Sequence, residues 1–246
     1  MNTVAADPPT FVLTIDQEWS SDFALEGVLA FARERGIVPT LFVTHRSVVA
    51  ERAAARGEVE LGIHPNFLPG STHGDTVDAV LDHLLSRVPA PVASRSHAFV
   101  DGTPIALALA ARGLRLDSNL CLQWQPGLVP LRHWTGLLRL PVFFADDVHA
   151  RQGGEWRLAP LESRFFSPGL KVLLVHPFLH ALNLDTHARY LALKASLPRL
   201  DADEAARLRH RGDGAASLLE ALVDAVHARG LRFDTLTAAA AGGSAG

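Results

Sequence analysis

Two carboxylates one residue apart, Asp16 and Glu18, close the apolar run Phe11-Val12-Leu13-Thr14-Ile15. Histidines follow other short apolar runs in the same way: His45 just beyond Thr40-Leu41-Phe42-Val43, His64 after Val59-Glu60-Leu61-Gly62-Ile63, and His176 after Val172-Leu173-Leu174-Val175. A carboxylate and imidazoles that converge can hold a divalent cation, and a second carboxylate beside them can take the proton of a water that the cation acidifies. These residue types therefore point to a hydrolytic metal centre. Side chains two positions apart on a strand share a face, which would bring Asp16 and Glu18 to one side. Either could instead cap the helix that follows.

Further candidates lie downstream. His64 is followed by a loop with turn-forming residues, Pro69-Gly70-Ser71-Thr72, and then by His73. The two histidines are nine positions apart, so joint ligation requires that loop to fold back, and His64 is the stronger ligand of the pair. Arg95, in Ser94-Arg95-Ser96-His97, could orient a carboxylate and hold it ionised, or belong to a surface ion pair. His176 stands where a histidine could protonate a leaving amine. The acids of Phe144-Ala145-Asp146-Asp147-Val148-His149 could tune it. His45, His97, His149 and His180 each lie near an expected strand end, so one of them could replace His73 as a ligand.

Positioning these groups requires strands that end at a common place. Helical periodicity predicts a helix from Asp22 to Arg35, stopped at Gly36, then a strand near Pro39 to Thr44, a helix around Val48 to Arg56 and a strand at Val59 to Ile63. Helices follow at Thr76 to Val88 and Thr103 to Arg112, with strands at Leu114 to Leu116 and Leu138 to Phe144. The helix Ala215 to Arg229 and the strand Leu231 to Leu236 complete the alternation. Repeated βα units favour a parallel sheet or barrel, whose functional groups gather at the C-terminal strand ends. Gln123 to Arg139, with Trp124 and Trp134, lacks periodicity and is expected to form an irregular excursion over one barrel end. The expected catalytic domain spans residues 9–237, and the Ala/Gly/Ser-rich stretch 238–246 is expected to be a frayed tail.

Composition narrows the function classes. With 246 residues, about half of them apolar, one domain can bury a large core. The net charge of -3 comes without a basic stripe, which argues against nucleic acid as a partner. Asp, Arg, Glu or Pro interrupts every apolar stretch before the roughly 20 residues that span a bilayer. The start, Met1 to Asp7, lacks the basic and apolar regions of a secretory signal, and Cys121 has no cysteine partner in the chain, so a cytoplasmic location is expected. Nothing in the sequence fixes the oligomeric state.

Taken in order, Thr14-Ile15-Asp16-Gln17-Glu18, Gly62-Ile63-His64 with His73, Arg95, Gly113-Leu114-Arg115-Leu116-Asp117-Ser118 and His176 resemble the motifs of the polysaccharide deacetylase superfamily, carbohydrate esterase family four. The resemblance runs from about Thr10 to Leu236. Thr44-His45-Arg46-Ser47, Gly62 to Phe67, Arg95-Ser96-His97 and Asp146-Asp147-Val148-His149 are most similar to a subgroup from bacterial surface-polysaccharide, or O-antigen, gene clusters. The resemblance implies an α/β fold, a distorted (β/α) barrel of about seven parallel strands, and a metal-dependent hydrolase that removes an N-acyl group, acetyl or formyl, from an amino sugar or surface-polysaccharide precursor.

By the same resemblance, Asp16 is the base, Arg95 its brace, His176 the general acid with Asp147 beside it, and Glu18, His64 and His73 the metal ligands. The expected ion is zinc, with cobalt, nickel and manganese as alternatives. Asn66, His97, Trp19 and Asp146 are the expected substrate contacts, and a lipid-linked or nucleotide-linked acylated sugar is the expected substrate. Gln17 occupies a position where the family usually has Asp, and the Pro-Tyr that usually follows the bracing arginine is absent. The backbone N–H of His97 or Ala98 is the expected substitute oxyanion donor. Two alternatives remain open at this stage: a hydrolase of a non-sugar amide or ureide on the same barrel, and a sugar-binding scaffold without catalysis.

Overall fold

Seven β-segments, joined side by side, form a ring around a polar interior. In the computed structural model, which describes residues 8–242, the strands are β1 (Thr10–Asp16), β2 (Thr40–Val43), β3 (Glu60–Ile63), β4 (Leu116–Asp117), β5 (Leu131–Arg132), β6 (Leu138–Arg139), β7 (Val142–Ala145), β8 (Leu170–Val175) and β9 (Phe233–Asp234). The parallel order β3-β2-β1-β8-β7 makes the main wall, and β9 pairs with the start of β1. Single parallel bridges link Ile63 to Ser94, Ser94 to Asp117, and Cys121 to Val142 of β7. These bridges close a distorted (β/α) barrel in which Ser94 and the segment from Asp117 to Cys121 stand in for full strands.

The strands are buried on both faces, as expected for a parallel sheet covered by helices. β1 is buried from Phe11 to Asp16. By the period-two rule Thr14 and Asp16 share the inner face, where Arg95 meets both of them. Outside, the helix Asp22–Glu34 packs Leu25, Val28 and Leu29 inward and is capped by the Ser21 hydroxyl, which accepts from the Ala24 N–H. Gly36, at φ +65, ends it. Gly62 is required for a different reason. A Cβ there would lie 2.7 Å from the Phe42 ring and 2.9 Å from the Ala93 carbonyl oxygen, so only glycine lets β3 approach its neighbours this closely.

Several expected elements differ. The strand expected over Leu138 to Phe144 is split into β6 and β7, because Pro141 lacks the N–H that would continue the ladder. Leu231 to Leu236 yields only the two residues of β9, and the helix Leu236–Gly242 follows, with Leu236, Ala239 and Ala240 buried. The stretch expected to fray is therefore packed as far as Gly242; residues 243–246, like the N-terminal start through Asp7, lie outside the described residues. The excursion over Gln123 to Arg139 contains the antiparallel pair β5-β6. Its turn precedes β6 and so lies at the N-terminal end of the barrel, opposite the strand ends that carry the acids and histidines.

Short helices follow β8. Pro177–Leu182 packs in the outer layer against the helix Asp22–Glu34 and the helix Ala215–Ala228, Ala202–Leu208 packs on it, and between them His187–Leu193 and a 3-10 turn, Lys194–Arg199, form a cap over the strand ends. Asn183, in the left-handed conformation, ends the first of these helices, and its Oδ1 accepts from the N–H groups of Ala216 and Ser217 at the start of the helix Ala215–Ala228. No helix among the described residues is long and apolar enough to cross a membrane.

Candidate active site

Arg95 is fully buried and is the hub of the barrel interior. Its Nη1 donates to Asp16 Oδ1 at 2.9 Å and to Thr14 Oγ1 at 2.8 Å. Its Nη2 and Nε donate to the hydroxyl and carbonyl of Ser118 at 2.7 and 3.0 Å, and its guanidinium lies 4.4 Å from the centre of the Phe42 ring. Burial pulls the Arg95 pKa down, and the Asp16 charge opposes that pull. The bridge Ser94–Asp117 puts Arg95 next to Ser118, and the Ser118 hydroxyl donates in turn to the Leu140 carbonyl. One oxygen of Asp16 is thus fixed by Arg95, and the other, Oδ2, faces His64 Nδ1 at 3.7 Å.

Glu18 reaches the same place by an unexpected route. β1 ends at Asp16, and Glu18 and Trp19 both have positive φ, +51 and +55. Strand alternation therefore does not place Glu18; a tight turn does, closed by Ser20 N–H donating to the Gln17 carbonyl and by Trp19 N–H donating to Thr44 Oγ1. Gln17 pins this turn to β2, its Oε1 accepting from the N–H groups of Thr44 and His45. Non-glycine residues in this conformation cost of order 1 kcal/mol or more each and cluster where function requires a fixed side-chain direction.

Two imidazoles converge on one oxygen of Glu18. His64 Nε2 lies 2.9 Å and His97 Nδ1 2.6 Å from Glu18 Oε1. Burial would raise the Glu18 pKa, but the hydrogen bonds from His64 and His97 outweigh it and hold the carboxyl well below its ordinary value. His97 comes from a short 3-10 turn in which Ala98 and Phe99 also have positive φ. Asn119 clamps that turn: its Oδ1 accepts from the N–H and hydroxyl of Ser96, and its Nδ2 donates to the Val100 carbonyl.

Glu18, His64 and His97 form a group whose ligand atoms all lie within 4.8 Å of one another, so it can hold a metal ion. The donors suit one: two imidazoles and a carboxylate are a common set for zinc and its neighbours in the first transition row. His73 does not join this group. Its Nδ1 accepts from the Asn66 N–H at 3.1 Å, its ring stacks between Trp19 and His83, and burial, with His83 nearby, pushes its pKa down to about 4. The loop does fold back, but it delivers a histidine that supports Trp19, and Trp19 in turn meets the His97 ring edge-on at 5.2 Å.

On the opposite side of the site, Asp146 Oδ1 accepts from His176 Nδ1 at 2.5 Å and Asp146 Oδ2 from the His176 backbone N–H at 2.8 Å. Burial alone would lower the His176 pKa; the charge and hydrogen bond of Asp146, with Asp147 and Glu18 nearby, raise it well above the ordinary value. Asp146, Asp147 and His176 are also close enough together to hold an ion. Both Asp146 oxygens, however, are taken up by His176, which suits holding a proton better than ligating a metal. His176 Nε2 has no partner among the described residues.

A cavity of about 350 Å³ opens over these groups. Asp16, Glu18, Asp147 and His176 line it, together with Phe178, Tyr190 and Leu191. Ala98 also lines it, and its N–H has no acceptor among the described residues. Asn66, Trp19 and Asp146, expected as substrate contacts, do not line it: Asn66 Oδ1 accepts from the Leu68 N–H, Trp19 packs on histidines, and Asp146 is buried beneath His176. Nor do His45, His149 and His180 join the site. His45 bonds to Thr44, His149 to the Glu155 carbonyl, and His180 packs against Phe31 on the outside of the barrel.

The sequence profile of the WbmS-like polysaccharide deacetylases matches residues 13–194, and the chain belongs to this family. It is thereby a hydrolase of carbon–nitrogen bonds other than peptide bonds. Among solved structures it is similar to a Bordetella bronchiseptica protein, WbmS, assigned as a polysaccharide deacetylase of O-antigen biosynthesis. The identity is 29%, 87% of this chain and 90% of that one are covered, and the TM-score is 0.79. The family 4 carbohydrate esterase of Streptomyces lividans, solved with acetate, shares the fold at 14% identity, with 94% of each chain covered and a TM-score of 0.51. No curated protein matches the chain significantly.

Proposed function

We propose that this protein is a metal-dependent N-deacylase that removes an acetyl or formyl group from an amino sugar in a surface-polysaccharide precursor. The observation that carries this reading is the convergence, beside one cavity, of a two-histidine, one-carboxylate group, an Arg95-braced Asp16 and an Asp146-held His176. Glu18, His64 and His97 would hold the ion, zinc first and cobalt, nickel or manganese as alternatives. There it would polarise the acyl carbonyl and lower the pKa of a water.

The chain's own groups complete the hydrolysis. Asp16 Oδ2, the oxygen Arg95 leaves free, takes the water's proton as the oxygen bonds to the acyl carbon. The Ala98 N–H, held in place by the left-handed turn and the Asn119 clamp, is set to donate to the carbonyl oxygen as charge develops on it. His176, with Nδ1 fixed by Asp146, offers the Nε2 proton to the amide nitrogen as the carbon–nitrogen bond breaks. The products are a free carboxylic acid and an amino sugar. Asp147 lines the same cavity, so its carboxylate can accept from a sugar hydroxyl.

The likeness to the Bordetella protein supports a sugar over a ureide or other amide as the substrate. Release of acetate or formate from N-acylated amino sugars by metal-loaded protein tests the reading, with Asp16→Asn as the control. Sugar binding with no turnover, in protein that takes up no divalent metal, would replace it with the scaffold alternative.

A further inference from the structure

The cavity is lined by buried or half-buried acids and by exposed cations. Asp16, Glu18 and Asp147 line it with His176; Arg151, one helical turn beyond Asp147, and Lys194 line it from the helix Asp146–Arg151 and from the cap. Lys194 is one of only two lysines in the chain; the other, Lys171, is buried in β8 with its Nζ donating to Ser167 and to the Pro168 carbonyl. Neither Arg151 nor Lys194 has a carboxylate partner among the described residues.

Tyr190, the chain's only tyrosine, lines the same cavity. Its hydroxyl has no hydrogen-bond partner among the described residues, its ring stacks on His187 at 5.8 Å, and Lys194 Nζ sits 5.8 Å from the ring centre. Burial raises the Tyr190 pKa to about 12, with Glu18, Asp147 and Asp146 adding to the effect and Arg151 opposing it. The phenol is therefore a neutral donor within the influence of both the acids and the Arg151 guanidinium.

A neutral sugar offers two unpaired cations on a cavity wall hydroxyl acceptors but no opposite charge, and an anionic sugar would be repelled by the three carboxylates unless its charge were held by those cations. Resting on the deacylase reading above, we propose that the substrate of this site is an N-acylated amino sugar carrying an anionic group, which the exposed Arg151 and Lys194 hold while the acylamide lies against Asp16 and His176. Tyr190 contacts the sugar between them. The shared chemistry is an oxyanion, which a sugar carboxylate or the phosphates of a nucleotide-linked or lipid-linked sugar would each supply.

The test measures binding and turnover separately on the full chain loaded with zinc. The probes are a nucleoside-diphosphate-linked N-acetylhexosamine, an N-acetylhexosaminuronate and a neutral N-acetylhexosamine methyl glycoside. Calorimetry should show one or both anionic probes bound at least about tenfold more tightly than the neutral one. The advantage should shrink as salt rises, since both cations are solvent-accessible. The probe preferred distinguishes phosphate from carboxylate. Lys194→Met and Arg151→Met should each bring the anionic-to-neutral ratio toward unity, and Lys194→Arg should restore it, which a merely structural role would not produce. Equal binding of all three probes, or of none, overturns the assignment. Cation-dependent binding without release of acetate would keep the anion site and overturn the deacylase reading; turnover that ignores charge would do the reverse.

Discussion

Asp146 grips His176 twice, through the ring Nδ1 at 2.5 Å and the backbone N–H at 2.8 Å. The double contact fixes the ring so that only Nε2 is free, and it keeps the imidazolium protonated above the usual histidine range. Asp146→Asn removes the charge and keeps the shape. The basic limb of the kcat–pH profile should then move to lower pH, and kcat at pH 8 should fall roughly 10- to 100-fold. The sign for stability is the same. A raised histidine pKa contributes stability that is fully present below the unfolded value of about 6.5 and is lost as pH rises through the folded value. Denaturation midpoints should therefore fall with pH in wild type over that window and change less in Asp146→Asn.

Asp16 has one oxygen held by Arg95 and one left free, as a proton acceptor requires. Asp16→Asn should lower kcat by about two to four orders of magnitude. Its bound metal, measured by elemental analysis, should stay near wild type because Asp16 is not one of the three converging ligands. Loss of metal together with activity would make Asp16 a ligand rather than the base.

Arg95 joins Thr14, Asp16 and Ser118 with no solvent contact. Arg95→Met would leave a buried Asp16 carboxylate without its partner, a loss that costs about 3–5 kcal/mol in comparable sites. Urea denaturation should show that loss, together with lower activity in whatever fraction remains folded.

Gly62→Ala forces a methyl group against the Phe42 ring and the Ala93 carbonyl. A destabilisation of about 1–3 kcal/mol is expected from such overpacking. Because Phe42 also lies under the Arg95 guanidinium, kcat should fall with it. An unchanged denaturation midpoint would show that the strand can shift without cost.

Much of this architecture was legible because apolar runs ending in Asp or His are what parallel strands with a site at their C-terminal ends look like. β1, β2, β3 and β8 and the long helices followed from periodicity. The strand expected at Leu114 to Leu116 is present only as the two residues of β4, and the strand end expected at Arg95 only as the bridges of Ser94, because each contributes single bridges to the barrel rather than a ladder. The helices from Pro177 to Leu208 were missed because they are too short to show an apolar face, and Tyr190 and Lys194 with them; Arg151 was missed at the end of another short helix. Asp16, Arg95, His64 and His176 could be picked out because each terminates or interrupts a short run. His73 could not be told from His97 by sequence, because the difference lies in two consecutive left-handed residues, Ala98 and Phe99, that redirect the chain beyond Arg95. Asn119, which clamps that turn, had no pattern to mark it beyond its place two residues after Asp117.

The central claim is that Glu18, His64 and His97 hold the ion. It is tested most directly by the metal content of wild-type, His97→Ala and His73→Ala protein after incubation with zinc and removal of the excess. About one equivalent is predicted in wild type and in His73→Ala, with little in His97→Ala. Full metal in His97→Ala together with its loss in His73→Ala would contradict the account.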